Sequence, residues 1–226
     1  VLLRNPRQLA SLLLMPLALL LLVQPAAAAC IDRYPINECP EYGRVAKTTA
    51  QRNADKVLLH SLQQSGVTLE QAHDRAIARG WQAMRRGDPA LAMRRFNQAW
   101  LIANDSGKAF WGFAAVADMR DGDVATAERY FARAIAALPG NADLRVDVGR
   151  FYGRHGRPRV AIQEFTKALA IRSDARDAHR GLAVAHFELG EMDEACRHGR
   201  VADTRGEFPA PGFIEILRRE SDIVCE

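Results

Sequence analysis

Four residues toward the C-terminal end carry side chains that could do chemistry together. His179 and His186 stand seven apart, so on one helix they share a face, and Cys196 and His198 would follow on its partner helix. Such a set could hold zinc, copper or iron, or support thiol chemistry, and a metal- or thiol-dependent protein using His179, His186 and Cys196 is the alternative reading of this sequence. The spacing matches no standard ligand motif, and both histidines of the first helix fall on packing positions, so no metal and no cofactor are expected. Gly149, Gly153 and Gly156 imitate a phosphate-binding loop, but no strand precedes them. Nothing reads as a Cys-x-x-Cys pair, a haem-attachment motif or a nucleophile elbow. The expected protein is not an enzyme.

The elements that would position these residues announce themselves as columns. Gly87, Gly122, Gly156 and Gly190 recur 35, 34 and 34 residues apart. Ala92, Ala127, Ala161 and Ala195 follow five residues after each, and Ala99, Ala134, Ala168 and Ala202 seven residues after those. Phe96, Phe131 and Phe165 recur between the alanines, and Gly199 breaks that series. Gly80, Ala115, Gly149 and Ala183 lie seven residues before each turn glycine. A fixed period of this length signals helical hairpins stacked in a row, with small residues where two backbones approach closely. Asp88 and Asp123 stand where they would cap the second helix of their hairpins, and Thr68-Leu69-Glu70-Gln71 has the reciprocal capping pattern.

These columns resemble the tetratricopeptide repeat. Trp111 matches that family's tryptophan near the start of a unit, Tyr152 its first-helix tyrosine and Pro139 its closing proline. Asp118, His186 and Gly199 depart from the pattern where an aromatic is usual. The resemblance implies an all-α, right-handed helical-hairpin solenoid of about four units, between an N-terminal helix and a C-terminal capping helix. The expected order is a leader over 1–29, an extended tether over 30–44, and a helix with its link over 45–72. Units follow over 73–107, 108–141, 142–175 and 176–209, then a capping helix over 210–226. An apolar stripe of Ala50, Ala54, Val57, Leu58 and Leu62 should close one end, and Phe213, Ile214, Leu217 and Ile223 the other.

Arg4 and Arg7 followed by the apolar run of 11–23 read as a secretory leader, too short for a permanent span. Ala27-Ala28-Ala29 before Cys30 suits ordinary cleavage, and it also resembles the site of a bacterial lipoprotein acylated on Cys30. Four cysteines in an exported chain allow three pairings. The simplest joins Cys30 to Cys39 and Cys196 to Cys225. The formal charge of +4 includes Arg4 and Arg7 of the leader. No basic run or nucleic-acid motif appears, so no nucleic-acid partner is expected.

Repeats of this family present surfaces, and relatives hold extended peptides in a groove lined by the first helix of each unit. Here that face would hold Trp81, Met84 and Arg85, then Phe113, Val116 and Arg120, then Arg150 and Arg154, then Arg180 and Val184. Arginine's planar fork suits a carboxylate clamp at the basic end. The resulting expectation is an exported bacterial adaptor or assembly scaffold in the cell envelope, binding a protein or peptide partner.

Overall fold

The computed structural model describes residues 30–209, 212–221 and 225; the expected leader over 1–29 lies outside them. Among these residues there are ten α-helices and no strand. They are α1 (Thr49–Gln64), α2 (Leu69–Arg85), α3 (Pro89–Ile102), α4 (Gly107–Asp121), α5 (Val124–Ala137), α6 (Ala142–Arg154), α7 (Pro158–Ile171), α8 (Ala178–Glu188), α9 (Met192–Thr204) and α10 (Phe213–Ser221). Helices α2 to α9 pair in order as four antiparallel hairpins, each packed on the next, and α10 rests on the last.

The punctuation is local and physical. Thr68 accepts from the Gln71 amide at 3.1 Å while Gln71 Oε1 accepts from the Thr68 amide at 3.2 Å. Asp88 and Asp123 accept from the amides of Leu91 and Thr126 at 2.8 and 3.0 Å. These bonds satisfy donors that a helix start leaves orphaned. The four turn glycines take φ of 61° to 75°, a left-handed conformation that costs glycine little.

Between hairpins, an aromatic ring lies where a side chain is missing. The Phe96 ring sits between Gly80 of α2 and Gly112 of α4, and a Cβ on either glycine would fall 2.4 Å from it. Phe165 sits likewise between Gly149 of α6 and Gly181 of α8. In the fourth unit the ring comes from elsewhere: a Cβ on Gly199 would lie 2.4 Å from Phe213 of α10. The break in the aromatic column is therefore filled by the C-terminal helix, whose Phe213 and Leu217 are buried against Ala183, Ala195 and Cys196. A bond between Cys196 and Cys225 joins α9 to the chain beyond α10.

Two expected elements take another form. Residues 30–44 are not an extended tether. They make two short 3-10 turns, Ile36–Glu38 and Pro40–Arg44, closed by a Cys30–Cys39 bond and folded against α3 and α5. The N-terminal helix α1 buries no residue, and Val57 is 68% exposed. Of its stripe of two alanines, a valine and two leucines, only the Leu62 end approaches α2, so among the described residues most of the helix has no surface opposite it to bury against.

Candidate functional site

A continuous row of contacts crosses the first helices of all four units. On α2 and α4, Trp81 packs edge-on against Trp111 with centroids 5.2 Å apart. Trp111 Nε1 donates to Asp147 of α6 at 3.0 Å, and Asp147 accepts from Arg150 at 3.0 Å. Arg150 also donates to Asp177, which stands at the start of α8 with its carboxylate turned away from the helix amides and pairs with Arg180 at 3.3 Å. Asp177 has φ of 63°, unusual for a residue with a Cβ. That turn places its carboxylate between the two guanidinium groups. Burial pushes the Asp147 carboxyl up, against the pull of Arg150 and Trp111.

The row forms one wall of a cleft of about 360 Å³ between α6 and α8. Arg150, Arg154, Arg180, Asp177, Val184 and Glu188 rim it, and Phe165 and Ala161 of α7 form its floor. Gly149 and Gly181 lack side chains because Phe165 occupies that space. Gly153 has no such reason: a Cβ there would meet only Ala161, at 4.0 Å. A glycine inside a helix costs roughly 0.5–1 kcal/mol relative to alanine, and here what it leaves is open cleft.

The sequence placed ten residues on this face, and the structure divides them. Arg150, Arg154, Arg180 and Val184 meet around the cleft. Arg154 donates to Asp118 of α4, whose other oxygen lies 2.7 Å from His155 Nε2. Arg180 donates to the Glu207 carbonyl at 3.3 Å. Trp81 and Met84 are half-buried against the core, and Arg85 is exposed at the end of α2. Phe113 and Val116 are fully buried and do not face a groove. Helix α4 is sandwiched between neighbours and apolar nearly all round, so its sequence has no polar stripe to mark the open side. Arg120 turns the other way, toward the folded segment 30–44, where it donates to the Glu38 carbonyl at 3.0 Å and covers the Tyr34 ring at 3.7 Å.

That strap rests on the second helices of units 1 and 2, and the sequence held signals for it. Asn97, fully buried, donates to the carbonyls of Asn37 and Cys39 at 3.0 and 2.7 Å and accepts from the Tyr42 amide at 3.3 Å. Glu41 accepts from Tyr130 at 3.2 Å and pairs with Arg133 at 2.7 Å. An asparagine and a tyrosine beside the alanine and phenylalanine columns of α3 and α5 mark where polar backbone must be received. Burial beside Glu41 pushes the Tyr130 hydroxyl well up, and burial pushes Tyr42 up to about 12.

At the last hairpin, His179 and His186 of α8 flank His198 of α9. The His179 and His198 Nδ1 atoms are 2.9 Å apart, and the His186 and His198 rings stack at 5.7 Å. Cys196 is bonded to Cys225 and has no thiol to offer. Burial and the neighbouring Arg197 hold His198 down at about 4.

Residues 149–209, across units 3 and 4, match the family model of the tetratricopeptide repeat. The structure superposes on that of pilF from Pseudomonas aeruginosa with a TM-score of 0.61 at 18% identity, over 68% of this chain and 71% of that one. It superposes on MamA with a TM-score of 0.52 at 20% identity, over 72% of this chain and 97% of that one. At such identities the shared feature is the fold: stacked hairpins of the tetratricopeptide type. No curated protein sequence matches the chain.

Proposed function

We propose that the protein is a non-enzymatic adaptor that holds an extended segment of a protein partner in the cleft between α6 and α8. The observation that carries this reading is the cleft itself, kept open by Gly153 at a cost in helix stability and rimmed by three arginines. An apolar side chain of the partner would enter above Phe165. A carboxylate or the partner's carbonyls would take donors from Arg154, which gives Nη2 to Asp118 and has Nε and Nη1 to offer on a side chain 54% exposed. Because Arg150 and Arg180 already bind Asp177, they act as a rigid rim more than as free clamps. A site fixed before binding loses little conformational entropy when it is filled.

The adaptor is placed by this reading in a bacterial cell envelope. The leader pattern supports export, and disulfides persist in oxidising compartments. No helix among the described residues is long and apolar enough to cross a membrane. The Cys30–Cys39 bond uses the sulfur that an acyl anchor would need, which favours simple cleavage over lipidation. Intact mass after alkylation separates these outcomes: a diacyl or triacyl increment on Cys30 would remove the strap's disulfide.

A photo-crosslinking residue at Val184, with one at exposed Ala132 of α5 as the outward control, would trap the partner in its native envelope. The trapped segment, made as a peptide, is then titrated against the wild type and against Arg154→Ala and Gly153→Val. Trapping from Val184 alone, with affinity lowered about 10-fold or more by each substitution, is expected. Equal trapping from Ala132, or unchanged affinity in both variants, would move the binding surface elsewhere.

A further inference from the structure

We propose that His186, His198 and Glu194 form a site for one divalent transition metal of the zinc class, at the turn of the last hairpin. One ligating atom from each of the three lies within 4.8 Å of the other two, and His198 Nε2 is 4.0 Å from Glu194 Oε2. Bonds of 2.0–2.1 Å to a tetrahedral ion place ligand atoms about 3.3 Å apart, so a contraction of up to about 1.5 Å closes the site. Glu194 can supply that movement, because its side chain is 45% exposed and is held on one side only, by Arg197 of the same helix.

The hydrogen bonds already set the imidazole protons as a metal would require, and a turn of one ring about its Cβ–Cγ bond, from the parallel arrangement of 5° between planes, aims both lone pairs at one ion. His186 Nδ1 lies 2.6 Å from Glu191 Oε2, which fixes the proton on Nδ1 and leaves the Nε2 lone pair free. His198 Nδ1 meets His179 Nδ1 at 2.9 Å. With the proton on His198 Nδ1 donated to His179, its Nε2 also carries a lone pair, and that atom faces Glu194. Metal-binding histidines are generally held this way, by a carboxylate or another acceptor on the far nitrogen. Glu191 and His179 are thus positioning residues, and His186, His198 and Glu194 are ligands. Two imidazoles and one carboxylate suit zinc, and compete for copper or nickel by the usual affinity order. Three protein ligands leave a fourth position for water.

The packing supports a functional group here over a core filler. Both ligand histidines are nearly buried, with side chains 12% and 11% exposed, in a unit where His186 replaces an aromatic of the repeat pattern. Helices α8 and α9 each contribute to the cluster, so a bound ion would link the hairpin beside the disulfide that already secures α9.

The test is titration of the untagged, disulfide-intact, chelator-treated protein with Zn²⁺ by calorimetry, and with Co²⁺ by visible absorption. One equivalent is expected, with the intense bands of a four-coordinate cobalt centre. His186→Gln and Glu194→Gln should each weaken binding by well over ~10-fold, and Glu191→Gln by about 10–100-fold with the stoichiometry kept. His186 and His198 are about equally buried, so the exposed Glu194 and Glu191 carry the test where a histidine variant loses its fold, and every variant is checked for folding by circular dichroism. Absence of binding at ~100 µM Zn²⁺, far above the range of ordinary protein zinc sites, would overturn the site. So would equal affinity in the wild type, His186→Gln and Glu194→Gln.

Discussion

At the scale of single residues, the glycines of the first helices separate into two kinds that the same substitution tells apart. Adding a methyl at Gly181 would place it 2.2 Å from the Phe165 ring, so Gly181→Ala should cost ~1–3 kcal/mol through overpacking. Gly153→Ala meets only Ala161 at 4.0 Å and should gain roughly 0.5–1 kcal/mol while narrowing the cleft. Urea unfolding of both variants checks the pair. A destabilised Gly153→Ala would mean that the open cleft is not bought at the helix's expense. The spacing of the column glycines Gly80 and Gly149 was legible in the sequence, because turn and packing columns repeat with the hairpin, whereas Gly181 and Gly153 stand off those columns. The reason for Gly153 was not legible, since only the position of Ala161 across the gap distinguishes a vacant place from a filled one. Phe113 and Val116 were misplaced for a related cause: on a helix buried all round, residue type does not separate inside from outside.

Among elements, the strap of residues 30–44 shows what periodicity leaves unread. Pro35, Pro40 and the two cysteines suggest a loop, but a loop's partner surface lies far away in sequence, at Asn97, Tyr130 and Arg133. Asn97→Ala would leave the Asn37 and Cys39 carbonyls and the Tyr42 amide without their partner. A loss of about 1–3 kcal/mol is expected, appearing as early proteolysis of the strap. Two tyrosines at the strap's interface, Tyr42 of the strap and Tyr130 of α5, supply a second readout. Tyr42 and Tyr130 are raised, Tyr42 to about 12, so both stay protonated in the folded protein after they would ionise in the unfolded chain. Their contribution to stability is whole below about pH 10, the ordinary tyrosine value, and is lost as pH rises through the folded values. Absorbance titration should show tyrosinate forming late in the native protein and near pH ~10 in denaturant. Tyr130→Phe should remove part of the delayed signal, and no change would show that Tyr130 ionises freely. The opposite end was easier to read: the amphipathic pattern of α10 predicted a cap, and Phe213 and Leu217 are buried there. At α1 the same kind of pattern misled, because helical spacing of apolar residues does not say whether a surface lies opposite them, and Val57 is left exposed.

Across the whole molecule, stability should be distributed as in a stack, each hairpin depending on its neighbours more than on distant units. The four hairpins were legible because each repeats the same solution to packing two helices; of the devices at the ends, the amphipathic cap could be expected, while the seat of the strap occurs once and had to be seen. Only the cap is tied covalently to the stack, by Cys196–Cys225 at unit 4; Cys30–Cys39 closes the strap on itself, and hydrogen bonds and an ion pair hold it over units 1 and 2. Phe213 supplies unit 4 with the ring that Gly199 gives up, so Phe213→Ala removes a packing element that no neighbouring helix can replace. Loss of a buried phenylalanine costs ~3–5 kcal/mol. In a stack that loss should fall on the unit that made the contact. Hydrogen exchange read by mass spectrometry should therefore show protection falling in α8, α9 and α10, with α2 to α5 close to wild type. The Gly149–Phe165–Gly181 contact sets where the effect stops, since it is the last ring seated between two units before the cap. If protection falls equally in all four hairpins, the solenoid unfolds as one cooperative body. The cleft between α6 and α8 would then be coupled to the strap as firmly as to the cap.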